Sequence, residues 1–289
     1  MTCGKLGLAP KKQPRPSRLS RHPSESAKMA DGVNTTIYYI PASHPCQAVF
    51  KAAELKGIEY KRVVVPPPMH KLLMTLMFGG PTVPAVKIKG GPEGDEKIQT
   101  SRKVMRAFES INPEPPLFPA DAAQRERVIA AETWGDGDFQ DCGRRFSWSH
   151  LLRDPKALET FSEGHPVPFP KWMQRLSARP IIWIQAKLNK ASDENVRADL
   201  ERFPAMLDQV DQYIADGVIG GDQPNAADLQ IFASLWLWRS VEDLRVAIDA
   251  RPCGAATQKL FGDPPGNLRA GLLPAEWFAP LHAGAPTAV

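Results

Sequence analysis

The sequence predicts two folded domains, an α/β domain followed by an all-α domain. Three observations support this: short β-rich segments alternate with helical patterns at first, a proline-rich stretch interrupts them, and long helical periodicities then take over. The predicted boundaries are a disordered basic tail at 1–33, an α/β domain at 34–111, a linker at 112–121, an all-α domain at 122–252 and an irregular tail at 253–289.

The α/β domain is predicted to begin with a strand, a helix and a second strand. Residues 35–40 (TTIYYI) are a short β-rich run. A helix follows, because Pro45 occupies a first-turn position that proline tolerates and apolar residues then recur at helical spacing. Residues 59–65 (EYKRVVV) predict the second strand, and the prolines at 66–68 prevent it from continuing as a central strand.

The rest of this domain is predicted to contain a helix, a hairpin and a final helix. After a segment that ends at Phe78, strand-like VPAVKI and EKIQ segments flank a glycine-rich turn at 90–94. Thr100 and Ser101 then cap a helix with one apolar face. The order β-α-β-α-β-β-α is that of thioredoxin-like domains, although order alone leaves several α/β folds open.

The second domain is predicted to be helical. One helix is expected from about Ala122 past Trp134, and apolar spacing predicts another at 196–215, with a kink or restart at Pro204. The proline-rich stretch 161–181 predicts irregular structure.

Bulk composition argues against several functions. The formal net charge of +4 over 289 residues is small, so no nucleic-acid partner is expected. Four cysteines lie far apart without metal-ligand spacing, which predicts no metal site and fits a reducing, cytoplasmic compartment. No apolar run approaches the roughly 20 residues that span a bilayer. The basic tail, in which Met29 is an alternative initiator, lacks the apolar core of a secretory signal. We therefore expect no membrane partner.

Ser43 is the leading candidate for a functional residue. It precedes the first predicted helix, in the segment SHPCQAVF at 43–50. A helix N-terminus offers unpaired N–H groups and a partial positive charge, so a hydroxyl there can donate to a bound thiolate or oxyanion. The alternative is that the Ser43 side chain only caps the helix.

Three separated segments resemble the glutathione transferase superfamily. The first is SHPCQAVF with the KGI at 56–58, which is similar to the theta-class opening. The second is TVPA at 82–85, similar to the family's V-P-A segment. The third is NAAD at 225–228, which resembles the capping box of the core helix in the family's second domain. The resemblance implies a thioredoxin-like first domain, an all-α second domain and glutathione as co-substrate.

The resemblance also implies roles for individual residues. Ser43 would assist the glutathione thiolate, Val83 would pair its backbone with glutathione, and Pro84 would follow a cis bond. Where the family has an acidic residue followed by serine, this chain has Thr100 and Ser101. Ser101 would hold the γ-glutamyl carboxylate, but Thr100 lacks the charge that pairs with the glutathione ammonium. Weaker glutathione binding, or a different ligand, is therefore expected.

Further candidates surround this predicted site. His70 and Lys71 are the local candidates for the glycyl carboxylate of glutathione, or else part of a solvated loop. Cys46 lies on the apolar stripe of the first helix, where a cysteine is usually a small hydrophobe. Its first-turn position is the reason to consider a lowered thiol pKa and a reactive thiol. Four aromatic residues are expected to line a co-substrate pocket or to pack in the core, namely Trp134, Phe139, Phe146 and Trp148.

The leading functional hypothesis is a glutathione transferase-like enzyme that activates the glutathione thiol for attack on an apolar electrophile. One alternative is a thiol-disulfide oxidoreductase that uses Cys46. The other is a transferase-like fold without catalysis that serves as a binding module. The resemblance further implies a homodimer in which each first domain faces the partner's second domain.

Overall fold

The computed structural model describes residues 32–65, 69–166 and 170–282. Of the tail predicted to be disordered, 1–33, residues 1–31 lie outside the described residues, and so do the prolines at 66–68.

The first domain has the predicted thioredoxin-like order. Its elements are β1 (Asn34–Tyr39), α1 (His44–Leu55), β2 (Tyr60–Val64), α2 (His70–Phe78), β3 (Ala85–Gly91), β4 (Gly94–Gln99) and α3 (Ser101–Ile111). The sheet order is β2-β1-β3-β4, with β1 parallel to β2 and antiparallel to β3, and β4 antiparallel to β3. The predicted α/β fold of this domain is confirmed.

The second domain is helical, as predicted. Its α-helices are α4 (Ala122–Trp134), α5 (Gln140–Arg153), α6 (Lys171–Leu188), α7 (Asp193–Ala215), α8 (Ala226–Trp238), α9 (Glu242–Asp249), α10 (Pro252–Phe261) and the single turn α11 (Ala279–His282). A kink at Gly137, whose backbone is not helical, joins α4 to α5, and α7 continues as a single helix through Pro204. None of the described helices is long and apolar enough to cross a bilayer.

Two expectations for this domain are wrong. Much of the stretch expected to be irregular, 161–181, belongs to α6, which contains Pro180. Three buried residues one turn apart, Ala178, Ile182 and Ala186, fix α6 against the domain, and this packing outweighs the single proline. The predicted irregular tail begins instead with helix α10, because Pro252 suits a first helical turn.

A buried lysine fixes the linker between the domains. The Nζ atom of Lys56, directly after α1, donates to the carbonyls of Pro113 (3.2 Å) and Pro115 (2.7 Å) and pairs with Glu109. The Glu109 carboxylate also accepts the Leu117 N–H, at 3.0 Å. The ammonium charge is thus compensated where it is buried, and the linker is held against the first domain.

Helix α8 is buried along its whole length and contributes to the cores of both domains. Leu229 and Ala233 pack in the core of the first domain, while Ile231 and Leu235 pack in that of the second. Its N-terminus carries the predicted capping box: the Asn225 side chain accepts from the backbone of Ala227 and Asp228, and the Asp228 carboxylate accepts the Asn225 N–H (2.8 Å).

Removing this cap is expected to destabilise the whole chain. Asn225→Ala leaves the amides of Ala227 and Asp228 without an acceptor in a buried setting, so we expect a loss of about 2 kcal/mol in the free energy of unfolding, measured by urea denaturation. The matched control is Asp121→Ala, which removes an exposed N-cap bond to Gln124. An equal or larger loss in the control would contradict the special role of the α8 cap.

The Asp228 carboxyl predicts a pH dependence of stability. Burial raises the pKa of the Asp228 carboxyl from 3.8 to about 6. The backbone hydrogen bonds to the carboxylate lower this pKa, but they offset the effect of burial only in part. The folded state therefore binds a proton more tightly than the unfolded state, and the stability contributed by this group falls as pH rises from about 4 to 6, by roughly 3 kcal/mol. Asp228→Asn removes this titration.

The cost of Asp228→Asn, measured by urea denaturation against the native chain, should therefore be larger at pH 4.5 than at pH 7. The same cost at both pH values would show that Asp228 does not titrate in this range.

Candidate functional site

A cleft of about 470 Å³ lies between the two domains. Four of the residues predicted from the sequence line it: Ser43, His70, Lys71 and Val83. Pro84, Cys46, Thr100 and Ser101 are not among its lining residues. The structure therefore brings together the predicted thiolate and glycyl-carboxylate contacts, and it separates them from the predicted γ-glutamyl contacts.

Ser43 begins α1 without capping it through its side chain. Its carbonyl accepts the N–H groups of Cys46 (2.9 Å) and Gln47 (3.0 Å), but its hydroxyl forms no cap hydrogen bond. The alternative expectation of side-chain capping is therefore wrong. The hydroxyl instead lies near the Cys46 thiol, and its interaction lowers the pKa of that thiol. Because a hydroxyl hydrogen can rotate, the same group can donate to an acceptor in the cleft.

Cys46 lies beneath Ser43 in the core of the first domain and is fully buried. Burial raises the pKa of its thiol to about 11, and the interaction with Ser43 offsets this only in part. The first-turn position therefore does not lower the pKa of this thiol, contrary to expectation. The desolvation of the thiolate outweighs the favourable charge of the helix N-terminus.

Two residues of the site escaped the sequence analysis, His44 and Arg144. Burial, followed by the charge of Arg144, holds the pKa of His44 well below its usual range, so the imidazole is neutral at pH 7. Its Nε2 atom has no hydrogen-bond partner in the described part of the chain. His44 could have been noticed because it follows Ser43, whereas no sequence signal places Arg144, on α5, opposite α1.

The wall formed by the second domain is largely apolar. It includes Trp148 and Leu151 of α5, Phe161, and Ile181 of α6. Of the four aromatic residues singled out from the sequence, only Trp148 lines the cleft; Phe139 and Phe146 are fully buried in the core, and the Trp134 ring packs 4.4 Å from that of Phe139. An apolar group bound next to Ser43 would pack against this wall.

The V-P-A segment forms the rim of the cleft on the first domain. The Val83–Pro84 bond is cis, as the resemblance implied. Val83 lines the cleft, and its backbone forms no hydrogen bond within the described residues, so its amide and carbonyl are available to a ligand. Pro84 is buried, and its carbonyl accepts the Thr100 N–H at 3.2 Å.

Ser101 is buried at the interface between the domains. Its hydroxyl donates to Gln230 Oε1 of α8 (2.9 Å), and Gln230 Nε2 donates to Asp136 (3.2 Å). Gln140 Nε2 donates to the same carboxylate, at 3.1 Å. A polar network between the domains therefore occupies the hydroxyl that was expected to hold a ligand carboxylate. Thr100 is exposed and lines an open groove beside α3, which adjoins the cleft at Thr82.

The charged side chains that line the described part of the cleft are all basic. Among the described residues, its lining contains the cations Lys71 and Arg144 and no aspartate or glutamate. Within residues 32–65, 69–166 and 170–282, no three His, Cys, Asp or Glu side chains are grouped as metal ligands. The cleft is therefore suited to a ligand that has an anionic end and an apolar end.

Comparison with known proteins supports the resemblance. The family model for the glutathione S-transferase N-terminal domain matches residues 37–116, which is nearly the whole first domain. No curated protein matches this chain significantly.

Solved structures with the same fold include FzlA from C. crescentus, at 17% identity and a TM-score of 0.54, with 85% of this chain and 98% of that chain covered. A glutathione S-transferase from Rhodospirillum rubrum F11 has 17% identity and a TM-score of 0.52, with 88% and 94% covered. A maleylacetoacetate isomerase from Anaeromyxobacter dehalogenans 2CP-1, solved with bound dicarboxyethyl glutathione and citrate, has 16% identity and a TM-score of 0.47, with 79% and 89% covered.

The buried thiols are expected to be unreactive in the native chain. Cys46, Cys142 and Cys253 are all buried and unpaired. At pH 8 a thiol with a pKa of about 11 is ionised to only about one part in a thousand. Iodoacetamide followed by peptide mapping should therefore leave Cys46 unmodified in the native chain and modified in urea. Rapid native alkylation of Cys46, or a mixed disulfide with oxidised glutathione there, would restore the oxidoreductase alternative.

Proposed function

We propose that this divergent member of the glutathione transferase superfamily activates the thiol of glutathione with Ser43 for attack on an apolar electrophile. The observation that carries the proposal is the position of Ser43, at the N-terminus of α1 and in the cleft between the domains, with a hydroxyl that caps no amide. Because a free thiol is mostly protonated at neutral pH, a donor to the thiolate and the positive end of a helix would raise the reactive fraction.

The cleft offers a partner for each of three ligand groups. The thiolate would lie at Ser43, and the cysteinyl backbone would pair with the free amide and carbonyl of Val83. The glycyl carboxylate would lie towards Lys71, with His70 beside it. The electrophile would then pack on the apolar wall around Trp148.

The γ-glutamyl end is expected to bind differently from the family's pattern. The Ser101 hydroxyl is already bonded to Gln230, and the described residues that line the cleft include no carboxylate to pair with an ammonium. Each feature removes a contact to the γ-glutamyl end. We therefore expect this chain to bind glutathione one or two orders of magnitude more weakly than it would with an acidic residue in place of Thr100.

The same two features favour a second candidate function, a binding module that holds another amphipathic anion without catalysis. The oxidoreductase alternative has less support, because the Cys46 thiol is buried and its pKa is raised. The homodimer and the cytoplasmic location that the sequence suggested stay predictions; sedimentation of the purified chain tests the former.

The decisive experiment compares binding and turnover. Titration calorimetry with reduced glutathione and initial rates with a chloronitrobenzene electrophile would be measured for the native chain and for Ser43→Ala. We expect kcat/KM to fall about a hundredfold in Ser43→Ala, because one donor to the developing charge is lost. The glutathione Kd should change less than threefold, since one hydrogen bond to a neutral thiol adds little affinity.

Two further variants give the matched controls. Ser43→Thr keeps a hydroxyl and should recover most of the rate, and Ser101→Ala tests the γ-glutamyl contact separately from Ser43. If Ser43→Ala lowers glutathione affinity and kcat/KM equally, or changes neither, then Ser43 does not activate the thiol. If the native chain binds no glutathione at several millimolar, the binding module becomes the leading function.

A further inference from the structure

Exposed apolar side chains are concentrated on two helices that border the cleft. Of the eleven large apolar side chains that are largely exposed in the described part of the chain, three lie at α2 and five on α6. Those at α2 are Met69, Leu72 and Leu76, and those on α6 are Trp172, Leu176, Trp183, Ile184 and Leu188. A cluster of this kind on a folded chain marks a contact surface.

Three of the five exposed apolar residues of α6 form a stripe. Trp172, Leu176 and Trp183 are 64%, 74% and 56% exposed, and they are spaced by four and seven residues, so they lie on one face of the helix. The residues that pack on the domain, Ala178, Ile182 and Ala186, lie about 100° around the helix from this stripe. The stripe is therefore not required for the packing of α6.

The charges around both helices have one sign. No aspartate or glutamate occurs at 60–92 or at 164–192, and each stretch contains five lysines and arginines. On α6, Arg175 is paired with Glu159, but the helix has no acidic residue of its own to neutralise Lys171, Arg179 or Lys187. Lys187 Nζ lies 4.8 Å from the centre of the Trp183 ring, so cation and aromatic group are presented together.

We propose that α6 docks on the surface of a bilayer that contains anionic lipids. Tryptophan and leucine side chains enter the boundary between headgroups and acyl chains, while the flanking cations attract the anionic headgroups. The chain would lie on the bilayer without crossing it, in keeping with the absence of any spanning helix in the described residues.

The charge pattern favours a bilayer over a second copy of this chain. A symmetric contact through α6 would place Arg179 and Lys187, which have no acidic partner on their own helix, opposite the same cations, which is unfavourable. An anionic bilayer instead presents negative charge beside an apolar layer, and this matches a stripe of tryptophans flanked by lysine and arginine.

The test uses the full chain with vesicles of phosphatidylcholine alone or with one-third phosphatidylglycerol. We expect sedimentation with the anionic vesicles only, weakened by salt, and a blue shift of tryptophan emission as the exposed indoles leave water. The double variant Trp172→Ser/Trp183→Ser should abolish both the binding to anionic vesicles and the blue shift of tryptophan emission. Arg179→Gln/Lys187→Gln should weaken partitioning about twenty-fivefold, at about fivefold for each cation.

The matched control is Val246→Ser on α9, which removes an apolar side chain that is 77% exposed on a helix with acidic neighbours. It should bind vesicles like the native chain, and all variants should keep native circular dichroism because the changed residues are exposed. The proposal is overturned if the native chain ignores anionic vesicles, binds pure phosphatidylcholine equally well, or binds independently of the α6 residues. It is also overturned if the α6 variants instead dissociate a complex of two copies.

Discussion

The buried cap at the start of α8 is the interaction on which the arrangement of the two domains depends. Helix α8 has no exposed side, so the N–H groups of its first turn have no water to bind, and Asn225 and Asp228 supply their acceptors. The Asp228 carboxylate also accepts the Gly220 N–H at 2.6 Å, which ties the preceding loop to the helix. With its end satisfied in this way, an almost wholly apolar helix can be buried between two cores.

The cleft follows from this central helix. Both α1 and α5 pack on α8, so the start of α1 and the middle of α5 are held on opposite sides of one gap. Ser43 is placed there by α1, while Arg144 and Trp148 are placed there by α5. The hydrogen bond between Ser101 and Gln230 joins α3 to the same helix. That bond fixes the domains more firmly, and it takes up a hydroxyl that a ligand would otherwise use.

The sequence alone predicted those structural features that depend on residues close together in the chain. Pro45 marked the start of α1, and the spacing of Asn225 and Asp228 marked the cap of α8, because each signal lies within one helical turn. The partner of Ser101 lies 129 residues away, and no local pattern could predict it. The irregular structure expected around Pro180 was wrong for a similar reason, since the packing that holds α6 is tertiary.

The expectation of no membrane partner rested on a search for spanning segments, and α6 shows why such a search is incomplete. A helix can be too short and too charged to span a bilayer and still carry an apolar stripe with flanking cations. In this chain, Ile181 and Gln185 of α6 line the cleft, while Trp172 and Trp183 lie exposed on the same helix. The cleft-lining residues and the exposed tryptophans thus lie on different faces of the same helix, so one face can dock while the other forms a wall of the proposed electrophile site.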